Sequence, residues 1–406
     1  MSYCSNCGAK LPDGAAFCGN CGTPVANGHI PPPYPDDGIK KHKPHIKTDE
    51  HKTTTSVEKE TMIGRINRYV GNDSKAELNW RVLFSDVLKP HTVDEALEIF
   101  ISGTSRTTPD PANVSANWPH PWFYSRVLLI LLAGYLILWF LVASFNSVLC
   151  VPGMAVVGSF AMPVAVMILF FEANVWHNVS MYRVMQIFLL GGLASLVLTL
   201  MLFGIFPDSV SGSLDYFNAF IVGIVEELGK MLIVFFFLRN MKQRSILSAL
   251  LIGASIGAGF AAFESAGYAF IPIWQLFGYQ TANPQFQVTP QAMADVISSS
   301  VMLRGFLAPG GHVAWAAVSG AALVLASKEM NVFDFSLLTN KRFLRLFVIP
   351  VVLHGLWDCP LSGAMNSIFP YLAYILLIFA IWTILLILVN MGLAEVGKST
   401  KTDNNN

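Results

Sequence analysis

The sequence predicts a mostly α-helical membrane protein: a polytopic bundle of about eight transmembrane helices, preceded by a small Cys4 zinc ribbon. Three observations predict it. Of the 406 residues 53% are hydrophobic and only 13% are charged, where a soluble chain of this length carries roughly a quarter charged residues. The charges crowd into the first 115 residues, the tail and short islands between long apolar runs. Cysteines concentrate at the start, as Cys4-x2-Cys7-x10-Cys18-x2-Cys21.

The paired knuckles "CSNCG" and "CGNCG" are the sequence form of a tetrahedral zinc site, with Cys4, Cys7, Cys18 and Cys21 as ligands and zinc in a structural role. Gly8 and Gly22 follow the knuckles and let the backbone turn around the metal. Two disulfides in an exported module are the bland alternative, but repeated knuckles suit one closed site. Zinc thiolates persist where thiols stay reduced, which places residues 1–26 in the cytoplasm. Lys10 is the only basic residue among the first 25, so no nucleic acid is expected and the ribbon's partner is an unidentified cytoplasmic one. A zero net charge likewise favours no strongly charged partner. No apolar core of a signal peptide appears in these 25 residues. Cys150 and Cys359 stand alone and read as packing residues.

Residues 27–61 are rich in Pro, Lys, Thr and acidic residues and read as a disordered linker. The irregular spacing of His29, His42, His45 and His51 argues against a second metal site. Residues 62–121 form a small cytoplasmic juxtamembrane segment. In it Thr92-x-x-Glu95 is a capping box that opens a short helix ending at Gly103. The amphipathic stretch "LNWRVLFSDVL" either lies on the bilayer or packs on that helix.

Residues 122–392 form the membrane domain, and 393–406 a cytoplasmic tail. Apolar runs long enough to span occur at about 126–145, 152–171, 184–206, 217–238, 246–270, 300–326, 344–358 and 369–391. With a cytoplasmic start, the external loops 146–151, 207–216, 271–299 and 359–368 contain no Lys or Arg. The internal connections carry Arg183, Arg239, Lys242, Arg244, Lys328, Lys341 and Arg342, which obeys the positive-inside rule with both termini cytoplasmic.

The run "FNAFIVGIVEELGKMLIVFFFL" places Glu226, Glu227 and Lys230 at its centre. Each charge costs about 2.5 to 3.5 kcal/mol there, so the helix needs polar partners from its neighbours. The following runs supply Glu264, Arg304, His312, His354 and Asp358. Glu226 and Lys230 are i,i+4, as are His354 and Asp358, so each pair shares a helix face. Gly253, Gly257, Gly259 and Gly267 allow close helix contact beside them. An ion-paired core, an ion pathway and a water-activating centre all fit these residues taken by themselves.

Together, Glu226-Glu227-x-x-Lys230, Phe260-x-x-x-Glu264, "RGFLAPGGHVAW" and His354-x-x-x-Asp358 resemble the PrsW family of intramembrane proteases, within the CAAX-protease-like group. The resemblance covers roughly residues 120 to 392. It implies glutamate-dependent, metal-independent peptide hydrolysis, with no catalytic metal. Glu226 would activate water, and Glu227 would share or steer its proton. Lys230 would bias that pair. His312 and His354 would stabilise the oxyanion, and Asp358 would orient His354 or reach substrate. Glu264 stands where CAAX-type relatives have histidine, so its role is open: a second acid, or a partner of Lys230 or Arg304. The resemblance also implies a prokaryotic plasma-membrane location and a membrane-protein substrate, of the anti-sigma-factor type in the family's best-understood case. Glu264, His354 and Asp358 fall late in their spans, which places the cut near the outer leaflet. Two other readings remain open: an intramembrane zinc metalloprotease using Glu226, Glu264, His312 and His354, and an inactive scaffold or receptor with the ribbon as output.

Overall fold

Each long apolar run after Trp122 forms helix, since a backbone surrounded by hydrocarbon must satisfy its own hydrogen bonds. The computed structural model describes residues 2–3, 10–11, 62–72, 81–104, 106–205, 215–241, 243–360 and 369–403. The chain divides into two compact units, Met1–Lys59 and Glu60–Asn406. In the first, β1 (Ser2–Tyr3) pairs antiparallel with β2 (Lys10–Leu11), Ser2 opposite Leu11 and Tyr3 opposite Lys10. Cys4, Cys7, Cys18 and Cys21, and the linker 27–61, lie outside the described residues.

The second unit opens with α1 (Met62–Val70) and α2 (Val93–Ile101). The capping box forms as expected: Glu95 N donates to Thr92 Oγ1 and Thr92 N donates to Glu95 Oε2. Gly103 leaves α2 with φ of +88°, and a Cβ there would overlap the Val179–Ser180 backbone. The stretch expected to be an amphipathic element yields a 3-10 turn at Val82–Phe84. Its Leu83 buries against Leu169, Leu386 and Trp382 of the bundle rather than against α2.

The bundle comprises α3 (Phe123–Phe145), α4 (Cys150–Ala173), α5 (Met181–Phe203), α6 (Tyr216–Arg239), α7 (Ile246–Ala282), α8 (Pro290–Leu307), α9 (His312–Met330), α10 (Lys341–Asp358) and α11 (Phe369–Asp403). Among the described residues six stretches are long and apolar enough to cross a membrane: α3, α4, α5, α7, the α8–α9 pair and Tyr371–Ser399 of α11. Six of the about eight expected spans meet this measure of length and apolarity. The two others, α6 and α10, are helices of 24 and 18 residues. They miss it because α6 holds Glu226, Glu227 and Lys230, and α10 holds Lys341, Arg342, Arg345 and Asp358.

Three boundaries also differ. The 271–299 loop is mostly helix, since α7 runs on to Ala282 and α8 begins at Pro290. The 300–326 run is broken at Ala308–Gly310 by Pro309 and two glycines. The last helix continues to Asp403, so residues 393–403 prolong it.

Helix α7 is the central post: its most apolar window is 94% buried, against 11% for α3. Small residues let α9 meet it backbone to backbone. A Cβ on Gly253 would strike the Ala316 carbonyl, and one on Gly257 the His312 carbonyl. Gly259 meets Phe188 of α5 in the same way, at a π-turn over Ile187–Gly191. Gly267, expected to serve likewise, has nothing within 4 Å of its would-be Cβ. Glu172 at the end of α4 accepts from the Trp122, Phe123 and Tyr124 amides at 2.9, 2.8 and 2.8 Å, which satisfies the start of α3. Cys150 is half-buried and Cys359 buried, both as free thiols.

Candidate active site

Five helices converge on one polar centre. Helix α6 brings Glu226, Glu227 and Lys230, α7 brings Glu264, α8 Arg304, α9 His312, and α10 His354 and Asp358. The break between α8 and α9 is what delivers His312, as the first residue of α9. Non-helical backbone at membrane depth is tolerated where protein or a cavity covers it. Here the Pro309 carbonyl accepts from Trp382 Nε1 at 2.8 Å, Gly310 is buried against Ile378, and Ala308 and Gly311 line the cavity.

The contacts form a continuous chain. Arg304 Nη2 lies 2.5 Å from Glu264 Oε2, and His312 Nε2 lies 3.0 Å from the same oxygen. Lys230 Nζ is 2.8 Å from His312 Nδ1 and 2.7 Å from Glu227 Oε1. His354 Nδ1 is 2.9 Å from Glu227 Oε1, and its Nε2 is 3.3 Å from Asp358. Thus all seven residues singled out in the sequence come together, with Arg304 as an eighth. Glu264, whose role was open, bridges Arg304 and His312.

Glu226 stands apart within this chain. Its Oε2 is 3.5 Å from Lys230, 3.6 Å from His354 and 3.9 Å from His312, and it is buried with no hydrogen-bond partner. A cavity of about 500 Å³ opens beside it, lined also by Glu264, His312, His354 and Asp358. Glu227 and Lys230 do not line that cavity; both are fully buried behind its wall. Adjacent glutamates therefore differ in what they can touch.

Aromatic rings complete the wall. Trp315 stacks on His354 with centroids 4.4 Å apart and meets His312 edge-on at 5.2 Å. Lys230 Nζ sits 4.3 Å above the Phe260 ring, a favourable place for a dehydrated ammonium. Arg304 lies 4.3 Å over Tyr268 and donates from Nε to Ser265. Trp315, Tyr268 and Ser265 were missed in the sequence. In a chain this rich in aromatics nothing marks those that face a cavity rather than lipid.

The charges limit what the centre can hold. Glu226, Glu227, Glu264 and Asp358 are four acidic side chains, against two basic ones, Lys230 and Arg304. A buried cluster approaches neutrality, so two further positive charges are needed. Shared protons would supply them, and so would one divalent cation. Glu226, His312 and His354 each offer a ligand atom, all within 4.8 Å of one another. This N2O set suits zinc. Carboxylates also bond the histidines from behind, Glu227 to His354 and Glu264 to His312, as in carboxylate–histidine metal sites. The residues therefore fit a metal, and the expected absence of a catalytic metal does not follow from them.

A family model described as PrsW family intramembrane metalloprotease matches residues 180–386, which include every residue of this centre. The chain belongs to the PrsW family. It is a multi-pass integral membrane protein and a membrane-embedded protease of that family. A zinc-ribbon domain model matches residues 3–25, so this PrsW-family chain carries a ribbon of the kind that holds structural zinc. No curated protein and no solved structure matches the chain.

Proposed function

We propose that this PrsW-family chain hydrolyses a peptide bond of a membrane protein at the cavity beside Glu226, by glutamate-activated water. The observation that carries this is the Glu226 Oε2 atom: buried, lacking a hydrogen-bond partner and set between two imidazoles at the cavity wall. An orphaned buried carboxylate oxygen costs about 1–3 kcal/mol or more unless something occupies it, and a water molecule would. Glu226 would take a proton from that water as its oxygen bonds to the scissile carbonyl carbon. His354, whose Nε2 faces Glu226 at 3.6 Å, would donate to the oxyanion, and His312, held between Lys230 and Glu264, would present the Lys230 ammonium to it. As the C–N bond breaks, the proton on Glu226 would pass to the departing amine. Glu227, Lys230, Glu264 and Arg304 would position these groups, and Asp358 would orient His354.

A second reading has its own observation, the Glu226–His312–His354 ligand set. With these three residues as ligands, a divalent cation would supply Lewis-acid polarisation of the carbonyl and lower the pKa of water. Against it stands Lys230, whose ammonium already lies 2.8 Å from His312 Nδ1 within that set. We favour the glutamate reading on that ground.

We also read α6 and α10 as crossing the membrane, giving eight crossings with both termini cytoplasmic. The substrate would be a single-span membrane protein, with an anti-sigma-factor type as the first to test. Membrane proteomes of cells carrying the wild type and Glu226→Gln should differ in one or a few proteins, which accumulate uncut in the variant; identical proteomes would remove Glu226 from the mechanism. Metal content separates the two readings. After Cys4, Cys7, Cys18 and Cys21 are changed to Ser, the purified chain should hold no zinc if glutamate acts alone, and about one equivalent if the second reading holds.

A further inference from the structure

We propose that the junction of α1 and α10 binds the phosphate of an anionic phospholipid. A cavity of about 340 Å³ opens there, bounded by Tyr69 and Gly71 from the end of α1, and by Lys341, Arg342 and Arg345 from the start of α10, with Glu329 as its one acidic residue. The two elements are pinned together by side chains that donate to backbone carbonyls. Tyr69 Oη donates to the Arg345 carbonyl at 2.8 Å, and Arg342 Nη2 to the Gly71 carbonyl at 3.2 Å.

Three cations thus meet one anion, and their charges are left largely uncompensated. Among the described residues no ion pair or hydrogen bond engages the Lys341 ammonium or the Arg345 guanidinium, and Glu329 pairs with neither. Arg342 Nε is buried without a hydrogen-bond partner. A multidentate anion such as phosphate matches that set of donors.

The surface below the cavity says where the phosphate comes from. Lys341 and Arg345 stand at the head of α10 on the side that continues into Leu344, Val348, Val352 and Leu356, spaced four apart. All four are 40–48% exposed. This apolar row is about 18 Å long at 1.5 Å per residue, close to one leaflet of a hydrocarbon core about 30 Å thick. Cations at its head lie where a phospholipid headgroup sits, and an acyl chain can lie along the row. Helix α1 adds the exposed apolar residues Met62, Ile63 and Tyr69 next to the exposed Arg65, the pattern of an interfacial helix. A soluble phosphate would have no use for the row or for these anchors.

The test uses the full chain in neutral detergent, with dioleoylphosphatidylglycerol, dioleoylphosphatidylcholine and inorganic phosphate as probes and lipid retention read by native mass spectrometry. The readout is independent of proteolysis. Wild type should retain phosphatidylglycerol over phosphatidylcholine. Lys341→Gln with Arg345→Gln should weaken phosphatidylglycerol by about fivefold per cation removed, leaving phosphatidylcholine unchanged. Lys341→Gln alone changes one exposed side chain and should cost about fivefold if the double variant fails to fold. No preference in the wild type, or a preference undiminished by Lys341→Gln, overturns the proposal. Displacement of phosphatidylglycerol by equimolar inorganic phosphate also overturns it, in favour of a soluble phosphate site.

Discussion

His354 Nδ1 on α10 lies 2.9 Å from Oε1 of Glu227 on α6, with both side chains buried. That one oxygen also takes the Lys230 ammonium at 2.7 Å. Glu227 therefore ties two helices and a cation together behind the cavity, while its neighbour Glu226 faces the cavity. The tandem glutamate divides into one residue that lines the cavity and one that holds helices together behind it.

Glu226→Gln keeps the side-chain volume and removes the carboxylate proposed as the base. The variant should unfold within about 1 kcal/mol of wild type, while hydrolysis falls by at least about 100-fold. Thermal unfolding in detergent and a cleavage assay on the same preparation check this. A loss of activity that merely follows a loss of fold would point to a structural role.

Lys230→Met leaves Glu227 buried without its cation, and should destabilise the bundle by about 3–5 kcal/mol. Adding Glu227→Gln should restore part of that loss, because the uncompensated charge is gone. A double-mutant cycle by thermal unfolding measures the coupling. Strict additivity would mean that the 2.7 Å contact carries no energy.

Arg304→Gln and Glu264→Gln loosen His312 from the side away from Lys230, so each should lower activity by about 10- to 100-fold, as loss of a histidine's carboxylate partner does. Arg304→Lys, which retains charge without the fork, should restore only part of it. The imidazole nitrogen shifts of His312 should move in the two neutral variants. Unmoved shifts would show that Arg304 and Glu264 do not act through His312.

Gly257→Val should be severely destabilising, because its side chain would have to occupy the space of the His312 carbonyl. Gly267→Ala, where nothing lies within 4 Å, should be neutral or stabilise by up to about 1 kcal/mol. Melting temperatures of the two variants discriminate a packed crossing from a glycine that merely shares the same helix.

The polar centre was legible because charge in an apolar run is conspicuous. Glu226, Glu227, Lys230, Glu264, His312, His354 and Asp358 each interrupt or end a hydrophobic stretch, and hydrocarbon allows few reasons for that. The capping box at Thr92 and Glu95 was legible because a local hydrogen-bond pattern has a local sequence. Less was visible where apolar residues could serve either lipid or protein. Trp315 and Tyr268 look like many other aromatics in the chain, and Gly267 lies in the same glycine-rich run as Gly253 and Gly257 without their neighbour. The break before His312 was written in Pro309, Gly310 and Gly311, yet hydropathy averaged over the run hides it.

Composition, motif order and the long apolar runs determined by themselves that this chain enters a membrane and which side chains must find one another there. Those are properties of transfer free energy and of spacing along a helix. Only the tertiary structure decided that Glu226 faces the cavity while Glu227 and Lys230 lie behind it, that Glu264 holds His312 and Arg304, and that three cations meet beside α1. Such differences depend on how helices rotate and pack against one another, and residues one position apart on a helix are carried to different sides of it.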